Sequence, residues 1–444
     1  MFKFSGLPSL RYLEILTRMK VDVDNKLDSI PVSRLNTEKE IRVETRICRV
    51  PEKLRELKED AYNPRVVSIG PFHSCKDYLA PMSRHKYYYM SLLIHSKDAE
   101  NCLDECICAI TDFDVVIRQC YVEDISVSND ELRLMMLVDG CFILELLLRL
   151  APNLEYIMPQ EYESDPLINN AWMIRALWHD LALLENQIPF FILEKLYDII
   201  KPRLMSKCRA PDSSLAQMPP ARSFWSRYCL HRITAYNVRD GRSRIALNHA
   251  AAANLTPGNQ YWGLNYCAEE LVQSGIELFK ESEADSLVNI TAARHGQLIK
   301  IPPLFIDEVR DSLFRNLIAY EQSSIKISHH VTSYVILMKS LIRSPRDVKL
   351  LKKKGIISQY WIDDQEYSTY FRSLLDEVFP TDFYFGSLCC QVDAYANKFW
   401  FRRKMSALYH TYFSTAWSMT SFIAAICLFI LTVLQTYFTI NPAR

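Results

Sequence analysis

The sequence predicts a mainly α-helical protein, a multi-helix globular body with a small β-hairpin and a C-terminal transmembrane helix. Three observations predict it. Glycine is scarce, at 10 of 444 residues against an average of about 7%, which disfavours architectures built on tight turns. Apolar residues recur at steps of three and four through much of the chain, the period of a helix with one buried face. Near the end, no residue from Met405 to Ala443 carries a formal charge when His410 is counted neutral.

Composition narrows the function classes. With 52 basic and 52 acidic residues, no global field favours nucleic acid or acidic substrates, so nucleic acid is not an expected partner. Neither GxGxxG nor GxxxxGK[ST] occurs, and no repeat of 20–50 residues is visible. Thirteen cysteines are an odd number at irregular spacings, unlike a secreted disulfide framework. Cys102, Cys106, Ile110, Phe113, Ile117 and Cys120 follow helical steps. They read as a buried stripe rather than zinc ligands, since no CxxC pair supports a tetrahedral site. No cofactor and no metal are expected.

Residues 1–45 are polar and irregular, a loosely ordered leader; Arg11 and Glu14 interrupt any signal-peptide core. A helical N-lobe is expected over 46–200. It opens with a short helix from Pro51, an extended run Val66–Ile69 closed by Gly70-Pro71, and a helix from Pro81 carrying Met82, Lys86 and Leu93. Ser128 and Glu131 form a capping box for a helix to Leu150, whose apolar circumference makes it the central core helix. Asp139 within it reads as a buried carboxylate paired with His85 or Lys86. Leu167, Ala171, Ile174, Leu177, Leu181, Leu184 and Ile188 continue at helical spacing until Pro189, which breaks or kinks the helix. Asn186 and Gln187, beside Glu185, are placed to bond the carbonyls freed there.

From 201 to 262 the pattern gives way to a basic, variable linker or loop. Between Lys201 and Ile245, ten Lys or Arg face Asp212 and Asp240, a net of +8. A helical C-lobe is expected over 263–404, starting with a helix near Ala268–Lys280 and a β-hairpin near 286–306 about His295-Gly296. Helices follow at DSLFRNLIAYEQ, at TSYVILMKSLI and after the Ser344-Pro345 cap, with Gly355 closing the last.

The terminal reading rests on Ala416–Phe438, 23 residues or about 34 Å of helix, against a hydrocarbon core of about 30 Å. Phe422, Leu428 and Leu431 would face lipid. Trp417 with Tyr409 and Tyr412 at one end, and Tyr437 and Phe438 at the other, would form aromatic belts. Arg402, Arg403 and Lys404 precede the segment, so the positive-inside bias gives a tail-anchored, single-pass membrane protein with a cytosolic body, the plasma membrane favoured. Membrane lipid is then one partner, and one or more proteins of unknown identity the others. Two sequons, at Asn254 and Asn289, would argue for the opposite topology if glycosylated.

Seven stretches in one order carry a family resemblance: VPEKLRELKEDAYNPRVVSIGPFH, MMLVDGCFILELLL, DLALLENQIPFFILEKL, IPPLFID, LFRNLIAYEQ, DVKLLKKKGII and the terminal segment. Over roughly Ile47 to Ile440 the chain resembles the plant domain-of-unknown-function 247 family. The structural-motif residues in these stretches are Asp139, Glu185, Asn186, Gln187, Pro189, Asn316, Glu321 and Gln322. The chain departs from the pattern between about Lys201 and Ala268, and at His73-Ser74, where many relatives carry paired histidines. The resemblance implies a largely helical, membrane-anchored plant protein with no established enzymatic activity. Some grass members of the family are linked to self-incompatibility.

Two functions follow as expectations. The first is a non-enzymatic membrane-anchored recognition, signalling or interaction module, possible relation to self-incompatibility included; a scaffold whose whole role is membrane residence is its plainer form. The alternative is a membrane-associated hydrolase or transferase using Asp139, Glu145, His179, Asp180 and Glu185. Against it, Asp139 and Glu145 lie about 240° apart round a helix, and no G-x-S-x-G elbow or H-E-x-x-H pair is present. Carboxylates in separate, solvent-free surroundings would count against the alternative, and a shared cleft would favour it.

Overall fold

The computed structural model describes residues 47–94, 100–150, 165–207, 262–282, 287–323, 327–358, 363–398 and 416–440. The leader and nearly all of the basic linker, 208–261, lie outside them, as does the sequon at Asn254. In chain order the first elements are helices α1 (Glu52–Leu57), α2 (Met82–Ile94), α3 (Glu100–Thr111), α4 (Asp114–Gln119), α5 (Asn129–Leu150), α6 (Ala171–Leu181) and α7 (Phe190–Lys207). Then follow α8 (Ala268–Gln273), β1 (Glu277–Lys280), β2 (Thr291–Ala293), β3 (Leu298–Ile301), β4 (Leu304–Phe305), α9 (Glu308–Gln322), α10 (His330–Leu341) and α11 (Pro345–Lys353). The remaining elements are β5 (Ile357–Ser358), α12 (Asp364–Ser373), α13 (Gly386–Lys398) and α14 (Ala416–Ile440).

The chain folds into two compact units that interleave in sequence. One gathers Met1–Arg244, Ile306–Thr332 and Asp376–Asp382; the other gathers Ile245–Phe305, Ser333–Leu375 and Phe383–Arg444. In the first, α5 is the centre. Leu132, Met136, Cys141, Phe142 and Leu146 on it have no exposure, and it packs against α2, α3 and α7. The cysteine stripe of α3 is core: Cys102 and Cys106 are fully buried. Gly140 lets α7 approach, since a Cβ there would lie 2.4 Å from Leu196 Cδ1. The capping box holds, with Ser128 N–H donating to Glu131 Oε2 at 3.0 Å and Glu131 N–H to Ser128 Oγ at 3.3 Å.

The expected helix through Ile188 stops earlier, at Leu181. Proline explains the start of α7 but not this earlier stop. The carbonyls of Asp180, Leu181 and Leu183 are instead taken by the side-chain amides of Asn186 and Gln187 at 2.8–2.9 Å. Those bonds offer the chain a non-helical alternative.

In the second unit, β2 and β3 pair antiparallel about a 3₁₀ turn at Arg294–Gly296, where the hairpin was expected. A third strand was not expected. The helix assigned to Ala268–Lys280 ends at Gln273, Gly275 turns at a φ of +86°, and Glu277–Lys280 pairs parallel with β3. A second short parallel pair joins β4 to β5. At α11 the expected cap is present: Ser344 Oγ and the Asp347 carboxylate bond each other's backbone N–H groups, and Gly355 follows with a φ of +69°.

The C-terminal transmembrane helix, and the single-pass, tail-anchored localisation that rested on it, are corrected here. Among the described residues no helix is long and apolar enough to cross a membrane. Ala416–Ile440 is helical. Thr420 and Ser421 precede, and Thr432 follows, an uninterrupted apolar run Phe422–Leu431 of ten residues, about 15 Å long. Phe422, Leu428 and Leu431 are exposed on it; the side chains of Ala416, Trp417, Tyr437 and Phe438 lie outside the described residues.

Candidate functional site

The polar residues singled out in the sequence meet in the first unit, along the segment from Val50 to His73. The run Val66–Ile69, expected to be extended, lies in neither helix nor strand. Buried backbone N–H groups need acceptors, and here side chains supply them. Asp180 accepts from three successive amides: Arg65 N–H at 2.8 Å on Oδ1, and Val66 and Val67 N–H at 2.8 and 2.9 Å on Oδ2. Asn186 Oδ1 accepts from Ile69 N–H at 2.6 Å, while its Nδ2 donates to the Val67 carbonyl at 3.0 Å. Asp139 Oδ2 accepts from Gly70 N–H at 2.8 Å, and Glu185 Oε1 from Val50 N–H at 2.7 Å.

Cations complete the arrangement. Lys86 Nζ lies 2.6 Å from Asp139 Oδ1 and also donates to the Ser68 carbonyl, so of the two partners expected for Asp139, lysine is the one used. Burial pushes the Asp139 carboxyl up, and the Lys86 ammonium and Gly70 N–H oppose that shift. Arg55 donates to Glu185 Oε1. Gly70 is required at its position: its φ is +73°, and a Cβ would lie 2.3 Å from the Gln187 carbonyl oxygen.

Asn316, Glu321 and Gln322 on α9 work the same way within this unit. Asn316 Nδ2 donates to the Ala61 carbonyl at 2.8 Å, and its Oδ1 accepts from Leu184 N–H at 2.8 Å. Glu321 accepts from Val331 N–H, Thr332 N–H and Thr332 Oγ1 at 2.7–2.8 Å, capping the start of α10; burial raises its carboxyl against those bonds. Gln322 Oε1 accepts from Phe379 N–H at 3.0 Å. Pro189 is buried immediately before α7.

The five residues of the enzyme alternative are all buried. Asp139 is 2% exposed, Glu185 1%, and Glu145, His179 and Asp180 none. Glu145 is not part of the segment's clamp; it pairs with Arg149 at 2.8 Å, and Arg149 also reaches Asp165 at 2.6 Å. His179 Nδ1 sits 2.9 Å from Asp180 Oδ1. Asp139, Asp180 and Glu185 hold backbone N–H groups, while Glu145 holds Arg149.

Sequence reading missed one cluster beside Glu185. His73 is buried, its Nε2 lies 3.4 Å from Glu185 Oε2, and Arg49 Nη1 lies 3.9 Å from the same oxygen. Burial first, then the Lys76, Arg55 and Arg49 charges, holds the His73 imidazole down to about 3. No spacing rule could have joined Arg49, His73 and Glu185, which are far apart in sequence. Among the described residues no group of three or more His, Cys, Asp or Glu side chains could hold a metal ion.

A family model described as a plant protein of unknown function, DUF247, matches residues 47–431. Among curated proteins the chain is similar to UPF0481 protein At3g47200 of Arabidopsis thaliana, 29% identical over 416 residues, covering 88% of this chain and 85% of that one. It is also similar to putative UPF0481 protein At3g02645 of the same plant, 22% identical over 528 residues, covering 98% and 96%. No solved structure matches.

Proposed function

This chain belongs to the DUF247 family of plant proteins of unknown function, and from that premise we propose that it is a non-enzymatic recognition or signalling module acting through protein partners. One observation carries the reading. Asp139, Asp180 and Glu185, the acids best suited to proton transfer, are buried and hold backbone amides. Asp180, engaged by three N–H donors in the core, is a structural acceptor. The basic stretch 201–268, where the chain departs from the family pattern, is the proposed source of partner contacts. Recognition of the self-incompatibility kind is one form of this reading, and it rests on the family resemblance alone.

The test is cross-linking capture with the full chain in plant tissue, compared with a chain whose residues 201–268 come from a relative. The proposal expects the captured proteins to change with the exchange while the urea unfolding midpoint stays put. An unchanged set would remove the role given to this stretch. Turnover of any substrate that disappears in a folded Asp139→Asn or Glu185→Gln variant would overturn the non-enzymatic reading as a whole.

A further inference from the structure

Three buried polar atoms lie together with no hydrogen-bond partner among the described residues: both ring nitrogens of His73 and Oε2 of Glu185. His73 is 3% exposed and Glu185 1%. Elsewhere in this unit, each acid of the clamp is satisfied by N–H groups, so the pattern at Glu185 differs. Its Oε1 is occupied by Val50 N–H and Arg55, while its Oε2 faces His73 Nε2 at 3.4 Å and Arg49 Nη1 at 3.9 Å, both beyond good hydrogen-bond length. Arg49 and Arg55 both lie against Glu185, and with Lys76 their charges oppose protonation of the imidazole.

From this geometry we propose that Arg49, Arg55, His73, Lys76 and Glu185 bind a phosphate group that carries one proton. The chemistry selects the ligand class in two steps. A metal cation is disfavoured, because three positive side chains oppose it and only His73 and Glu185 could ligate it. An oxyanion answers the cations and the imidazole N–H, but a fully deprotonated one would face the lone pairs of Glu185 Oε2 with nothing to donate. Hydrogen phosphate, or a phosphate monoester in its monoanionic form, brings both: oxygens that accept from Arg49, Lys76 and His73, and one P–OH that donates to Glu185 Oε2. Sulfate at neutral pH has the same shape and no proton. The site should therefore take phosphate and refuse sulfate, as buried groups left unpaired by the wrong ligand enforce selectivity.

Two of the cations are less buried than His73. Arg49 is half exposed, rests over the Phe72 ring at 4.5 Å and pairs with Glu123 at 2.6 Å. Lys76 is held by Asn63 Oδ1 at 2.9 Å.

The experiment is calorimetric titration of the full chain at pH 7 in a buffer free of oxyanions, with inorganic phosphate, glycerol phosphate and sulfate in turn. The expected result is saturable one-site binding of inorganic phosphate, with sulfate at least tenfold weaker. Glycerol phosphate binding as well would extend the site to esters, and its failure would restrict the site to the free ion; the shared chemistry stands in both cases. Arg49→Ala and Lys76→Ala, both at the rim, should each weaken phosphate at least fivefold with the unfolding midpoint unchanged. Glu185→Gln keeps an oxygen for Val50 N–H and replaces the lone acceptor by a donor, so in a folded variant the preference should reverse toward sulfate. Phosphate heats that do not saturate, equal affinity for sulfate, or indifference to both rim variants would each overturn the site.

Discussion

Removing the Asp180 carboxylate tests how the first unit is held together. In Asp180→Ala, three N–H groups lose their acceptors at once, those of Arg65, Val66 and Val67. Val67 is fully buried, and an orphaned buried donor costs about 1–3 kcal/mol, so about 2 kcal/mol is assigned to it. Arg65 and Val66 are only partly covered, and water recovers part of their loss, leaving about 1 kcal/mol each. The sum is about 4 kcal/mol, before any term for His179 losing its neighbour. Asp180→Asn separates charge from shape. Its amide oxygen can keep Val66 and Val67 while its NH₂ faces the Arg65 N–H, so about 2 kcal/mol is expected from one orphan and two weakened bonds. A domain stability of about 5–15 kcal/mol tolerates either change. Urea unfolding of the full chain, followed by tryptophan fluorescence, measures both, provided the slope matches the parent. If Asp180→Ala fell within about 1 kcal/mol of the parent, side-chain acceptance would not be what holds this segment.

Three further outcomes follow from the same bonds. Gly70→Ala should cost more than about 3 kcal/mol, combining a left-handed backbone with a Cβ 2.3 Å from the Gln187 carbonyl. Gly275→Ala is its control, because φ is +86° there with nothing within 4 Å of the Cβ, and about 1 kcal/mol is expected from backbone alone. His73, held down to about 3 against an unfolded value of 6.5, stays neutral in the fold while the unfolded chain takes up a proton. Its contribution is therefore fully present above pH 6.5 and lost as pH falls toward 3, with a slope approaching 1.4 kcal/mol per unit; His73→Gln should flatten the wild-type curve between those limits. Ser344→Ala should cost about 1 kcal/mol by opening the cap of α11, read from the urea transition of the second unit.

Wherever the physics was local, the sequence carried it. The Ser128–Glu131 and Ser344–Asp347 caps and the His295-Gly296 turn each depend on residues a few positions apart, and each formed where those residues stood; the Cys102–Cys120 stripe is buried, but it is divided between α3 and α4 rather than carried on one helix. The Asp139–Lys86 pair was half legible, because a charge in an apolar helix demands a partner but does not say which. Two errors came from letting periodicity run past a competing bond. Leu184 and Ile188 keep helical spacing, yet Asn186 and Gln187 take the carbonyls that would have carried the helix on. Phe279 keeps it too, and a glycine with positive φ turned that stretch into a strand.

The clamp and the His73 cluster were illegible for a different reason. Val66–Ile69 looks like a strand because its residue types fit one, but a strand is defined by who accepts its amides. Here the acceptors are Asp180 and Asn186, more than a hundred positions away. Acceptance by side chains fixes the register of the segment at every amide it touches, where a β-ladder could slip by two residues and still pair. It also places five ionisable or amide side chains in a core that must satisfy each of them, so one unsatisfied oxygen stands out. Glu185 is the place where the structural demand is met on one oxygen and left open on the other. A residue needed only to hold Val50 could have been asparagine or glutamine; the full carboxylate, beside a buried imidazole and three cations, is what ties the scaffold to the phosphate site.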